Sequence, residues 1–197
     1  MEDAKFLRGL EKKIKKAQDA KRFEHTLGVE FTAASLAMRY GASVTDAQIA
    51  GVLHDCAKCL SDEKKLKICK KHGIPVSEVE RRNPYLLHAK AGACLAEEKY
   101  EIRNRQEVVN AIRYHTTGRE DMGLLEKIVF VADYIEPGRR HAPNLPEIRR
   151  LAFENLDKAV LRILEDTLEH LRKSGGEIDT MTEMAYRYYL DRETGGI

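Results

Sequence analysis

Seven histidines occur in this chain, and one of them stands in the dipeptide His54-Asp55. The pair falls late in an otherwise apolar stretch, VTDAQIAGVLHDCAK, that reads as a helix. Consecutive helical residues differ in direction by about 100°, so both side chains can approach one centre beside the helix. Lys58 lies four residues after His54 and three after Asp55, on the same side. An imidazole, a carboxylate and an ammonium against an apolar face are costly to bury alone, and a divalent cation is a partner that lowers the cost. For this segment by itself, a helix-end ion pair of Asp55 with Lys58 is an equal reading.

Comparable donors recur along the chain. His25 follows Arg22-Phe23-Glu24, His88 follows Tyr85-Leu86-Leu87, and His115 ends VVNAIRYH just before Thr116-Thr117-Gly118-Arg119. Asp133 is the sharpest anomaly: in KIVFVADYI almost every neighbour is apolar, so its carboxylate needs a donor, an ion pair or a metal. Taken singly, each histidine is more often a satisfied core or surface residue than a ligand; the weight comes from the set. Mixed imidazole and carboxylate donors suit iron, manganese, cobalt or zinc better than calcium. His72 and His170 fall near expected helix C-termini, where an imidazolium favours the dipole, and are read as structural; His141, in a loop, is left open.

These residues are carried on a chain that reads as helical almost throughout. Apolar spacing predicts helices over about 6–17, 21–40, 44–58, 62–72, 85–99, 105–115, 124–135, 155–173 and 180–192, with Gly41 as a cap and Ser43 or Thr45, Ser61 and Asp179 as starts. The longest irregular segment, 136–146, contains three prolines and a glycine. The expectation is one all-α domain over 1–197: an N-terminal helix (1–20), a metal-binding core (21–135), and a loop with C-terminal helices (136–197).

In that order, the strings RFEHTLGVE, GVLHDCAK, LLHAKAGA, AIRYHTTGR, VFVADYIEPGR and MTEMAYRYYL run through most of the chain. Together they resemble the metal-dependent HD-domain phosphohydrolases, and within them the YqeK family of symmetrical diadenosine tetraphosphate hydrolases. The strings YHTTGR and ADYIEPGR are far more specific than a bare His-Asp. The resemblance implies an HD-domain helical bundle and a di-iron centre, with manganese or cobalt as substitutes, at which a metal-bound hydroxide attacks a phosphoryl group and yields two ADP. It also implies that His25, His54, Asp55 and Asp133 hold one metal, that His88 and His115 hold the other, and that Asp55 bridges them. Two cations about 3.5–4 Å apart can deprotonate a water, orient it and neutralise phosphate oxygens.

Lys58 is then expected to stabilise the attacked phosphoryl group, with Asp55 as its catalytic neighbour. Arg119 and Arg139 can make bidentate phosphate contacts. Arg140 and Lys90 are further candidates, and Thr116, Thr117 and Gly118 could present hydroxyl and backbone donors, against the alternative of a simple capped helix end. Rival readings are another HD-type nucleotide phosphohydrolase or phosphodiesterase, and a non-catalytic HD module that senses nucleotide or metal.

Composition narrows the classes. Lys+Arg 34 against Asp+Glu 32 gives a net charge of +2, which argues against a dedicated nucleic-acid binder despite the lysine-rich first helix. No apolar run approaches the roughly 20 residues of a membrane span. The N-terminus is charged from its second residue, unlike a secretory signal. Cys56, Cys59, Cys69 and Cys94 lack framework spacing, and a single C-x-x-C is weak, so a reducing, cytoplasmic setting is expected. The expected partner is a dinucleoside polyphosphate substrate, with a homodimer left open.

Overall fold

The computed structural model describes residues 2–102 and 104–195. Eleven α-helices and one 3-10 turn account for the regular structure among these residues, with no strand. They are α1 (Glu2–Ala17), α2 (Ala20–Tyr40), α3 (Val44–Leu53), α4 (Asp62–Lys71), α5 (Glu78–Arg82), the turn Pro84–Leu87, α6 (His88–Lys99), α7 (Gln106–Tyr114), α8 (Leu124–Ile135), α9 (Leu145–Glu154), α10 (Leu156–Ser174) and α11 (Thr180–Thr194). The all-α expectation holds.

Helix α3 lies at the middle because its sequence, VTDAQIAGVL, is apolar on nearly every side and must be covered all round. Helices α1, α2, α7 and α8 pack around it. The first helix is thus part of the domain: Leu7, Leu10 and Ile14 are buried, and its lysines face outward. Contact between α2 and α3 is made by small residues, with Ala33, Ala37, Ala47 and Ala50 all fully buried. Gly51 permits the closest approach, since a Cβ there would lie 2.7 Å from Glu30 Cα. On the other side α10 packs on α8, α9 and α11. A smaller cluster of Ala57, Cys69, Leu87 and Ala91 seats α4 beneath the 3-10 turn.

Capping follows the sequence. Asp19, Ser43, Ser61 and Asp179 each accept a backbone N–H of the first turn that follows. Gly41, with φ +73°, closes α2 in the left-handed conformation.

Three expectations need correction. The helix expected over 85–99 is divided: Pro84 opens a 3-10 turn, and the α-helix begins only at His88. The 136–146 segment is irregular only to 144, because Pro146 sits in the first turn of α9, where a missing N–H costs nothing. Helix α9 and the short α5 both went unread. Finally, α3 stops at Leu53. His54 keeps helical dihedrals, but the next residues tighten into turns, with Lys58 N–H donating to Asp55 O at 3.0 Å.

Glu30, 1% exposed, accepts a hydrogen bond from Gln48 while its second oxygen has no donor. Burial, reinforced by Glu11, pushes its carboxyl up to about 7 from an ordinary 4.5. Between those values the unfolded chain gives up a proton that the folded chain keeps, so stability falls as pH rises through the window. Glu30→Gln, neutral at every pH, is expected to gain stability over the parent from about pH 5 to about pH 8, reaching about 1–3 kcal/mol. Denaturant unfolding at both pH values checks this; a difference independent of pH rules it out.

Candidate metal centre

Five helix ends supply the cluster. His25 comes from the second turn of α2, His54-Asp55 from the end of α3, His88 from the start of α6, His115 from just past α7, and Asp133 from the last turn of α8. At helix ends the backbone turns away and side chains can converge without the neighbouring turn in the way. The imidazole Nε2 atoms of His25 and His54 lie 3.3 Å apart, and those of His88 and His115 lie 3.2 Å apart. Asp133 Oδ1 is 3.0 Å from His25 Nε2 and 3.9 Å from His54 Nε2. Asp55 stands between the two pairs: Oδ2 is 3.6 Å from His54 Nε2, and Oδ1 is 3.3 Å from His88 Nε2 and 3.6 Å from His115 Nε2. Within each of the groups His25–His54–Asp133 and His54–Asp55–His115, one donor atom per residue lies within 4.8 Å of the others.

The outward ring nitrogens fix the inward ones. Nδ1 of His54, His88 and His115 lies 2.7, 2.8 and 2.8 Å from the carbonyls of Gly51, Tyr85 and Ile112. A carbonyl only accepts, so Nδ1 carries the proton in each and Nε2 turns a lone pair to the centre. His25 Nδ1 faces the Glu136 carboxylate at 3.1 Å. Facing lone pairs 3.2 Å apart repel, and Asp55 Oδ1 is buried with no hydrogen-bond donor. Imidazole lone pairs and carboxylate oxygens pointed at one another, each oriented by an outer partner, fit a divalent cation.

The electrostatics agree. Burial pushes the His54 imidazole down to about 4, against the pull of Asp55 and Asp133. Burial also takes His88 down to about 3, helped by His115 and Lys58. Both are therefore neutral near pH 7. Burial works against protonating His25, but Asp133 and Glu136 outweigh it and raise its pKa. Burial alone would raise the two aspartates. His54, His115 and Lys58 hold Asp55 well below the usual carboxylate range, and His25 and His54 do the same for Asp133.

Lys58 extends to His88 Nε2 at 3.1 Å and lies 3.9 Å from Asp55 Oδ1; burial lowers its pKa. Thr116 Oγ1 is 3.1 and 3.2 Å from Nε2 of His88 and His115. Arg139 donates to the Asp133 backbone and, at 2.9 Å, to its Oδ1, while Arg140 has no ionic partner among the described residues.

Four residues expected to contact substrate have partners within the protein. Lys90 is tied to Glu80 and to the Pro75 carbonyl. Arg119 makes a bidentate pair with Glu126 at 2.7 and 2.8 Å. Thr117 donates to the Gly118 carbonyl, and the Gly118 amide, at φ +65°, closes the turn onto Tyr114. For Gly118 the capped helix end is the fitting description.

Two neighbours escaped the sequence reading. Arg22 NH1 donates to Asp55 Oδ2 at 2.8 Å; its place three residues before His25 on one helix face was the available signal. Glu136 is 3% exposed, held by Arg149 through its own carbonyl and by the Gly138 amide on its carboxylate. A Cβ at Gly28 would overlap that carboxylate, so α2 and the loop close around it.

A family model described as HD domain matches residues 22–138. The chain belongs to the HD-domain family. Among curated members, the symmetrical bis(5'-nucleosyl)-tetraphosphatase of Bacillus subtilis is 37% identical over 90% of this chain and 94% of its own. Its namesake from Staphylococcus aureus is 36% identical over 86% and 87%. A crystal structure from Clostridium acetobutylicum, described as a predicted HD superfamily hydrolase involved in NAD metabolism, superposes with a TM-score of 0.90. It is 40% identical and covers 94% of this HD chain and 97% of its own.

Glu136→Gln keeps the volume beside His25 and removes the charge. The expected result is a fall in metal affinity of about 10–100-fold confined to one of two binding events. Metal titration followed by elemental analysis checks it, and two unchanged binding events would refute the role.

Proposed function

We propose that this chain is a symmetrical bis(5'-nucleosyl)-tetraphosphatase, a hydrolase that splits diadenosine tetraphosphate (Ap4A) into two ADP. The observation that carries the reading is Asp55, whose two oxygens face two imidazole pairs with lone pairs turned inward. Curated relatives of that name, matched over most of their length, supply the substrate. In the reaction a water oxygen bonds to one inner phosphorus, the central P–O–P linkage breaks, and the bridging oxygen leaves on the other ADP.

His25, His54, Asp55 and Asp133 would hold one divalent metal, with His88, His115 and the bridging Asp55 holding the second; iron is the proposed ion, with manganese or cobalt as substitutes. Bound there, two such ions lower the pKa of water and neutralise charge on the attacked phosphoryl group. The protein's own part is to prepare that site. Three backbone carbonyls and Glu136 hold the imidazoles in one tautomer and orientation. Lys58, positioned by His88 and Asp55, is the cation proposed to meet the phosphoryl oxygens. The Thr116 hydroxyl lies beside the same pair, Arg139 lies on the opposite side against Asp133, and Arg140 lines the cavity that His25 also lines. No helix among the described residues is long and apolar enough to cross a membrane. We place the enzyme in the cytoplasm, where its four free cysteines would remain reduced.

The test is turnover of a dinucleotide panel by protein purified without air and loaded with metal. Ap4A should give ADP as sole product; ATP with AMP, or no turnover with iron, overturns the reading. Asp55→Ala should lose most of both ions and lower kcat/KM by about 10³-fold or more. Retention of two ions would refute the bridge.

A further inference from the structure

The two most exposed large hydrophobic side chains among the described residues, Met38 at 68% and Phe31 at 60%, stand one heptad apart on α2. Leu27, half-buried, and Ala34, nearly buried, complete the spacing 27–31–34–38. At about 100° per residue these four directions fall within about 60° of one another, so they form one stripe along the helix. It lies away from the buried face of Val29, Ala33, Leu36 and Ala37, on the helix that packs against α3 and α8. Apolar residues exposed singly need no explanation, but an aligned set does. Alternate steps of four and three are the spacing by which one helix meets another.

The stripe's own pattern says what covers it. Its midpoint falls between Thr32 and Ala33, so a second α2 crossing it antiparallel sets Phe31 beside the partner's Ala34. Leu27 then meets the partner's Met38. A large ring is matched to a small residue twice over, as a knob to a hole.

Charge selects the same arrangement. Glu24 is exposed and makes no hydrogen bond or ion pair among the described residues. Arg39 is exposed too: its Nε donates to the Phe153 carbonyl at 2.7 Å, and its terminal nitrogens have no hydrogen-bond partner among those residues. Both lie to one side of the stripe, near its opposite ends. In the antiparallel register Glu24 comes within two residues, about 3 Å along the axis, of the partner's Arg39. A parallel pair would instead set Glu24 against Glu24 and Arg39 against Arg39.

We propose that the outward face of α2 is a dimer interface, on which a second copy of this chain packs its own α2 antiparallel about a two-fold axis beside Thr32. Phe153, 40% exposed and joined to the rim through its carbonyl on Arg39, widens the apolar surface. Even so, these few side chains fall short of the roughly 1,600 Å² of a standard interface, so the pair forms reversibly as concentration rises. Nothing in the pairing depends on the identity of the substrate.

The test is sedimentation equilibrium of the full chain over a wide range of concentration, for the parent and three variants. The parent should pass from monomer to dimer. Phe31→Glu should stay monomeric throughout, because pairing would press a carboxylate from each copy against apolar side chains. Arg39→Glu should weaken association severalfold, since it sets two carboxylates together at each end. Adding Glu24→Arg to it should restore association to within about twofold of the parent. All three positions are exposed, so the variants keep the fold, which heat unfolding checks. A parent that is monomeric at every concentration overturns the proposal and leaves the stripe to a different protein. A dimer that survives Phe31→Glu overturns it as well. Failure of the charge swap to restore pairing overturns the antiparallel register.

Discussion

A carboxylate buried at 3% exposure with one oxygen lacking a donor is the constraint around which this fold is arranged. An isolated buried carboxylate would take up a proton, because burial penalises its charge. Asp55 has two cations at hand to keep it ionised, Lys58 3.9 Å from Oδ1 and Arg22 donating to Oδ2 at 2.8 Å. His54 and Lys58 lie within three residues of Asp55, while His115 follows α7 and Arg22 belongs to α2. Removing the carboxylate would leave a cluster of mutually repelling nitrogens with nothing between them.

Bringing those groups together depends on how closely the helices lie. His25 and His54 meet at 3.3 Å only because α2 and α3 touch through alanines and Gly51. The same contact buries Glu30, so the backbone that sets the histidine spacing also carries a suppressed carboxyl. On the far side, Arg149 of α9 binds the carbonyls of Ile135, Glu136 and Arg139, which fixes the loop that carries Glu136 to His25. A helix that contributes no donor to the centre thereby governs one of its imidazoles.

This division explains what the sequence made legible. Asp133 could be picked out because a carboxylate in an apolar run is anomalous, whereas His25, His54, Asp55, His88 and His115 carried weight only as a set and through the family resemblance. The helices that carry them were legible from apolar periodicity, and the α8 bounds fell where expected. Arg22 and Glu136 look like ordinary surface charges in sequence, since their roles arise from residues 33 and 111 positions away. Lys90 and Arg119 pair instead with acids only 10 and 7 positions away, Glu80 and Glu126. Helix α9 was hidden by Pro146, which breaks a helix in its interior but suits its first turn.

The two halves of the centre also differ in charge. On the His25–His54 side, Asp133 and Glu136 add two carboxylates to the share of Asp55. On the His88–His115 side the share of Asp55 stands against Lys58, and the outer partners are neutral carbonyls. Against the carboxylates of the first side stand two cations, Arg139 on Asp133 and Arg22 on the Asp55 oxygen that faces His54. The second side has one positive side chain, Lys58, with the Thr116 hydroxyl beside it. An arrangement that sets cationic side chains on both sides of one shared carboxylate would suit the proposed cleavage of a polyphosphate chain at its middle.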